Sequence, residues 1–498
     1  MTYEFRQSLK VILLVTSIVV SACNNGSDLN QKSSEKIQIS DTSSDYIFND
    51  QGNSIRSDMS FRINRLIEQK GLPSVTIVAF NANEIVWAES FGMANIAQKT
   101  EADLDTVYNT ASTFKIIVAT AVMQLVEDEV IGLDDPINHH LSVPITEWPD
   151  ATHPLTIRHM LAHRSGFKNA RAFKDTDIWS RLPVPSLEEQ ISTLRFDSLP
   201  GEKYSYCNVC FNLWTDMIQT ASGRNLETYL RDEILIPVDS KITSPLYPDA
   251  TMTERFALPY EQFNGQSYAV PQKFLHTLQA GDTYMRPLDM AKFLQSHLDG
   301  GQSSSKRVLS DHYVQMMRER QFGGNITLGF EHAVEDGITN LSWDGGIVGG
   351  STVYELEPKH GIGVYIASNS HSSHGDLHDI AQRTRDLLRG DETPYEYEVD
   401  EVEHVAVPIL SRDKLQAYVG SYRIEGTEID LKISVLNETL ALTNPAGDRL
   451  RVIFLTDLQA ALSGTNGERI EFRQGDKNAI KSLVLTSGDT SFSAYKIP

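Results

Sequence analysis

Ser112 and Lys115 stand three residues apart in the stretch ASTFKIIVATAVMQLVEDEV. A serine hydroxyl is a weak nucleophile until a neighbouring base takes its proton. On a helix, residues three apart share a face, so this spacing brings the two side chains within reach. Lysine acts as a base only where burial or nearby cations lower its pKa, since a solvated ammonium stays protonated at neutral pH. Ile116, Ile117 and Val118 follow at once and make a desolvated position plausible. The same residues also fit an ordinary core helix with Ser112 as its N-cap, so the pair alone decides nothing.

A second group lies in PGEKYSYCNVCFNLW, where Tyr206 and Asn208 follow a Pro-Gly turn at the entrance to a helical pattern. A Tyr-x-Asn on such a loop presents a phenol and an amide to one cleft, and the phenol can relay protons to a leaving group. Cys207 and Cys210 have C-x-x-C spacing, but no second Cys or His pair completes a zinc set and no thioredoxin-like context surrounds them. They read as two buried thiols or a disulfide. His159 and His163 are four apart in TIRHMLAHRSGF, a spacing on a helix that could hold a metal. No carboxylate or third ligand accompanies them, and the expectation is a structural helix; no metal or organic cofactor is expected.

The elements that must position these groups begin near Ser57. SFRINRLIEQKGL has helical apolar spacing, and SVTIVAF and EIVWAESFG read as two strands joined by NANE. Helices are expected from Ser112, over TIRHMLAHRSGF and EEQISTLRF, and at about Asn208–Ala221, Leu226–Leu235 and Pro287–Leu298. ITLGFEHAV, TNLSWDGG, GSTVYELEP and GIGVYIASN then read as strands, and HDIAQRTRDLLRG as a closing helix. Strands at both ends with helices between give an α+β domain over 51–390. An acidic linker, 391–409, follows, and 410–498 alternates as a small antiparallel barrel or sandwich does.

The chain has 498 residues, too many for one ordinary core, and its formal charge of -22 disfavours phosphate backbones, so no nucleic-acid partner is expected. Arg6 and Lys10 precede the apolar run Val11–Val20 and small residues up to Cys23, the layout of a secretion signal over 1–22. VSAC resembles a bacterial lipobox, which implies lipidation of Cys23, a membrane anchor and a polar tether over 23–50. By that resemblance, Asn24 favours the periplasmic face of the outer membrane.

The segments GLPSVTIVAFNANEIVWAESFGMAN, ASTFKIIVATAVMQLVEDEVIGLDDPI, LTIRHMLAHRSGF, PGEKYSYCN and AGDTYMRPLDMAKFL occur in the order seen in the serine beta-lactamase and penicillin-binding protein superfamily. The chain resembles most its class C beta-lactamase-like group, with D-amino-acid peptidases and family VIII carboxylesterases, over about Ile55–Arg389. The tail from LQAYVGSY resembles a lipocalin-like β-domain. The resemblance implies an antiparallel sheet flanked by helices, an all-helical subdomain and a C-terminal β-barrel. It implies that Ser112 is acylated, that Lys115 is its base, that Tyr206 shuttles protons and that Asn208 positions substrate and Lys115.

The third element of the family, Lys-Thr-Gly or His-x-Gly on a cleft strand, is replaced here by Trp343, Asp344 and Gly345 in SWDGGIVGGSTVYELEP. His360-Gly361 is the alternative, but EPKHGIGVYIASN fits a hairpin turn. Gly345 and Gly346 let substrate lie against the strand, and the N–H groups of Gly346 and Ser112 would form an oxyanion hole. An indole cannot pair with a carboxylate as lysine does. The W-x-G form resembles the carboxylesterases, so the expected reaction is acyl-enzyme hydrolysis of a small ester, amide or peptide. Asp344 would repel an anion if it points inward, and on a strand it faces away equally well. The alternatives are a beta-lactamase or D,D- or D-amino peptidase acting on cell-wall peptides, and a catalytically silent penicillin-binding-like binder or sensor.

Overall fold

The run Ser74–Asn81 is mainly apolar, consistent with a strand buried on both faces, and its residues Ser74 through Phe80 are all buried. It is an interior strand of the sheet in the computed structural model, which describes residues 47–497 apart from 147–151, 169–185, 193, 247–249, 264–265, 270–282, 304, 348, 372–373, 392–409, 437–438, 444–448, 463–467, 476–478 and 488–489. The expected signal peptide, Cys23, the tether up to residue 46 and the linker from residue 392 lie outside the described residues.

The main sheet strands are β1 (Ile47–Phe48), β2 (Ser74–Asn81), β3 (Ile85–Asn95), β4 (Glu331–Glu335), β5 (Ile338–Ile347), β6 (Gly350–Glu357) and β7 (Ile362–Ser368). Their order is β1-β3-β2-β7-β6-β5-β4, antiparallel throughout, with the short strand Thr100–Glu101 also on β3. The last strand, β7, therefore returns to pair with β2 near the start of the domain, and everything between β3 and β4 is one insertion. The sheet starts at Ile47, inside the stretch read as tether. ITLGFEHAV is only partly a strand, because Thr327 to Phe330 make a tight turn before β4 with Gly329 at φ 126°.

Six helices matter for the site and its support: α1 (Asp50–Lys70), α2 (Lys115–Glu127), α3 (Ile157–Leu161), α4 (Asn208–Ser222), α5 (Pro287–Leu298) and α6 (His374–Arg389). On α1, Ile55, Met59, Ile63 and Leu66 share a face, and with Leu377, Ile380 and Ala381 of α6 they pack one side of the sheet in one cluster with Ile77 and Val364. The other side, with Val78 and Phe80, belongs to a larger core shared with α2, α4 and α5. Every residue of α2 from Lys115 to Leu125 is buried, as expected of a helix apolar all round. Leu226–Leu235 is α-helical only to Leu230 and then turns π-helical. The insertion is mainly helical but also carries the strand pairs Tyr108–Asn109 with Tyr284–Met285 and Tyr260–Phe263 with Gln266–Ala269.

Beyond the linker, eight antiparallel strands from Gly420–Ile424 to Thr490–Ile497 form a barrel, closed where Ser421–Ile424 pair with Ala494–Ile497. Of the two architectures the alternation allowed, it is the barrel. Its interior is filled by side chains such as Tyr422, Ile433, Leu442, Phe454 and Phe472.

Candidate active site

Ser112 does not open an α-helix. It lies in a 3₁₀ turn, Ala111–Phe114, and α2 starts only at Lys115. The cause is Ala111, whose φ of 45° puts a non-glycine residue in the left-handed region just before Ser112. Such strain persists where the surroundings over-determine it. Here the Ala111 N–H donates to Asn109 Oδ1 at 2.8 Å, and the Thr110 carbonyl accepts from Thr113 Oγ1 at 2.6 Å and Thr352 Oγ1 at 2.7 Å. The Thr110 N–H donates to the Thr283 carbonyl at 2.8 Å.

The turn brings three expected residues together. Lys115 Nζ is 2.9 Å from Ser112 Oγ, and the Tyr206 phenol donates to the same oxygen at 2.6 Å. Lys115 is 2% exposed, with Nζ 5.0 Å from the centre of the Tyr206 ring and 5.4 Å from that of Phe211. Burial pushes its ammonium well below the ordinary lysine value. Burial likewise pushes the Tyr206 phenol above its ordinary value, against the smaller opposing effect of its hydrogen bond to Ser112. Burial thus favours the neutral form of each group, an amine and a phenol.

Trp343 faces this group from β5. It is 8% exposed, and its ring stacks beside that of Tyr206 with centres 6.0 Å and planes 26° apart. Alternation turns Asp344 to the opposite face, where its carboxylate meets His378 of α6 at 3.5 Å. That hydrogen bond raises the pKa of His378. Of the two orientations left open for Asp344, the structure has the outward one. His360 sits in the turn between β6 and β7, paired with Glu357.

Pairing of β5 with β4 ends at Ser342, while pairing with β6 runs on to Ile347. From Trp343 onward one edge of β5 thus has no strand partner among the described residues, and it faces the Ser112 turn. A Cβ on Gly345 would lie 2.8 Å from the Ser112 nitrogen, 2.9 Å from Ala111 Cβ and 2.6 Å from Thr352 Oγ1, so only glycine fits. A Cβ on Gly346 would meet only the His371 ring, at 2.8 Å, which can swing.

Asn208 is the first residue of α4, and its Oδ1 is buried with no hydrogen-bond partner among the described residues. Cys207 and Cys210 are disulfide-bonded across the first turn of the same helix. The two histidines do not share a helix: α3 ends at Leu161, and His163 follows with φ 54°. His159 caps α3 through Thr156 and stacks on Phe322 with ring centres 5.0 Å apart. His163 is 2% exposed and lies under the site, its ring centre 4.8 Å from that of Tyr206 and 5.5 Å from that of Trp343. Its place there escaped the sequence reading; HRSGF, with a glycine three residues on, was the available sign that the helix stops early.

Residues 61–389, about two thirds of the chain, match the family model described as Beta-lactamase. The chain is 23% identical over 194 residues to Protein flp of Staphylococcus aureus (strain MW2), covering 38% of this chain and 39% of that protein. It is 23% identical over 237 residues to the D-alanyl-D-alanine-carboxypeptidase/endopeptidase AmpH of Escherichia coli (strain K12), covering 46% and 58%. It therefore spans less than two thirds of either relative. The octameric penicillin-binding protein homologue from Pyrococcus abyssi superposes with TM-score 0.59 at 22% identity, over 88% of this chain and 99% of that one. The D-amino acid amidase from Ochrobactrum anthropi SV3 superposes with TM-score 0.57 at 20% identity, over 69% and 100%. EstCE1, a hydrolase with promiscuous acyltransferase activity, does so with TM-score 0.56 at 15%, over 68% and 99%. At these identities the three structures establish the shared fold.

Proposed function

The chain belongs to the beta-lactamase family, and on that footing we propose that it is a serine hydrolase that cleaves an uncharged ester or amide through an acyl-enzyme. The observation that carries the reading is Ser112 Oγ held between Lys115 Nζ at 2.9 Å and the Tyr206 phenol at 2.6 Å. An amine without its proton is a base and a phenol an acid, and burial of both groups favours those forms.

In the first half-reaction the Ser112 proton passes to Lys115 Nζ as Oγ bonds to the substrate carbonyl carbon. The oxyanion lies between the N–H groups of Ser112 and Gly346. Collapse breaks the bond to the leaving group, which takes a proton from Lys115 through the Tyr206 phenol. In the second half, water attacks the acyl carbon and gives its proton to the same pair, and Ser112 Oγ leaves with a proton restored.

Trp343 supports an uncharged substrate, because it sets a neutral indole beside Tyr206 where a lysine or histidine would supply charge. Asn208 favours a second reading, an amide or peptide substrate: a buried carbonyl oxygen without a donor is costly, and an amide N–H would satisfy it where an ester could not. We propose further that Cys23 carries a lipid anchor at the periplasmic face of the outer membrane; incorporation of labelled palmitate, lost in Cys23→Ala, checks it.

The test of the function is a panel of short-chain p-nitrophenyl esters, nitrocefin and D-alanyl peptides, run with the wild type and Ser112→Ala. Ester turnover lost in S112A supports the reading. Preferential nitrocefin hydrolysis overturns the uncharged substrate, and acylation without turnover favours a silent binder.

A further inference from the structure

His163 takes no part in the proton transfers above, yet it holds the chain on both sides of Tyr206. Its main-chain carbonyl accepts the Ser205 N–H at 2.8 Å, and its ring Nδ1 accepts the Cys207 N–H at 3.0 Å. One residue thus grips the peptide groups before and after the phenol. The left-handed backbone at His163, φ 54°, is what turns carbonyl and ring toward the same loop.

The ring also supports the aromatic side of the cleft. Its centre lies 4.8 Å from Tyr206, 5.5 Å from Trp343 with the planes 25° apart, and 5.5 Å from Phe211. Tyr206 and Trp343 are themselves 6.0 Å apart at 26°, so the three rings form one mutually packed group. Because Nδ1 accepts, the ring proton is on Nε2 and the imidazole is neutral. Burial holds it neutral down to about pH 3. A charged ring here would raise the cost of any proton on Lys115.

Resting on the serine-hydrolase reading, we infer that His163 is a positioning residue, which sets the Tyr206 phenol against Ser112 by holding Ser205 and Cys207 and by seating the Tyr206 and Trp343 rings. A buried histidine that merely filled the core would affect how much protein folds. A positioning histidine affects the rate of each folded molecule. Proton transfer depends on placement, and a displacement of about 1 Å can cost roughly a hundredfold in rate.

Two variants separate these roles. His163→Ala removes the acceptor and the ring. His163→Asn keeps an oxygen near the Nδ1 position, and asparagine tolerates the left-handed backbone. Active sites are titrated with a fluorophosphonate, and kcat and KM for a p-nitrophenyl ester are expressed per titrated site across pH. The expected result is a fall in kcat per site of about tenfold to a hundredfold in H163A with KM nearly unchanged, and recovery of most of the loss in H163N. H163A within twofold of wild type per site, or H163N no better than H163A, overturns the inference. Labelling that survives Ser112→Ala instead overturns the underlying reading and this inference with it.

Discussion

Lys115 Nζ lies 2.9 Å from Ser112 Oγ at the first residue of a helix whose next ten residues are all buried. The fold that aims the amine also strips its solvent. Below its ordinary value of 10.5 the unfolded chain binds a proton that the folded site resists, so burial of Lys115 destabilises the protein at neutral pH, less so as pH rises. Lys115→Met is therefore expected to abolish ester turnover while raising Tm at pH 7 by a few degrees, read by calorimetry. In the wild type, kcat/KM should fall as pH drops through the lowered lysine pKa, because protonation removes the base.

Tyr206→Phe removes the phenol but leaves the Ser112–Lys115 contact and the ring stack. We expect kcat to fall by about 10²–10⁴ with Tm little changed, since a positioned acid-base group contributes on that order. Stopped-flow acylation with a p-nitrophenyl ester gives the number, and a loss under threefold contradicts the shuttle role.

Adjacent glycines should respond differently. Gly345→Ala places a methyl 2.8 Å from the Ser112 nitrogen, where backbone must move, whereas Gly346→Ala meets only the His371 ring. Acylation should be lost in G345A and retained within about tenfold in G346A, as overpacking against backbone costs about 1–3 kcal/mol or more. Equal labelling rates in both would contradict the packing.

Trp343→Lys would place an ammonium where the indole now faces Tyr206. The ratio of nitrocefin to p-nitrophenyl acetate turnover should rise at least about tenfold, in line with the roughly 1.5–3 kcal/mol of a charge-assisted hydrogen bond. An unchanged ratio would show that Trp343 does not govern charge preference.

Acid should unfold the protein through two buried histidines. His163 and His297 are each pushed by burial from 6.5 down to about 3, so both stay neutral when folded while the unfolded chain gains protons below pH 6.5. Stability is full above that pH and is lost as pH falls toward 3, by about 2 kcal/mol per histidine at pH 5. His297 meets Thr120 at 3.0 Å away from the reacting groups, so His297→Met should flatten part of the fall in Tm between pH 7 and 5 without touching kcat.

The sheet was legible because its strands obey local rules. Ser74–Asn81 is a mainly apolar run inside the sheet, and α1 repeats its apolar face at Ile55, Met59, Ile63 and Leu66. The meeting of Ser112, Tyr206 and Trp343 was legible only through the order of family segments, since no local pattern says that residues so far apart share a cleft. Two features followed no local rule. The left-handed Ala111 depends on Thr283 and Thr352, remote hydroxyl residues that anchor Thr110. His163 left the expected helix because its carbonyl and ring bind the loop at Ser205 and Cys207, a tertiary demand that overrides helical spacing. The side of the strand taken by Asp344 became clear once β5 was paired with β6.

The central claim is that Ser112 is the acylated atom. Intact-mass analysis after fluorophosphonate treatment, followed by peptide mapping, tests it most directly. The account predicts one adduct per chain, on the peptide containing Ser112, absent in Ser112→Ala and formed far more slowly in Lys115→Met. An adduct of equal yield in S112A, or one mapped to another residue, would contradict it.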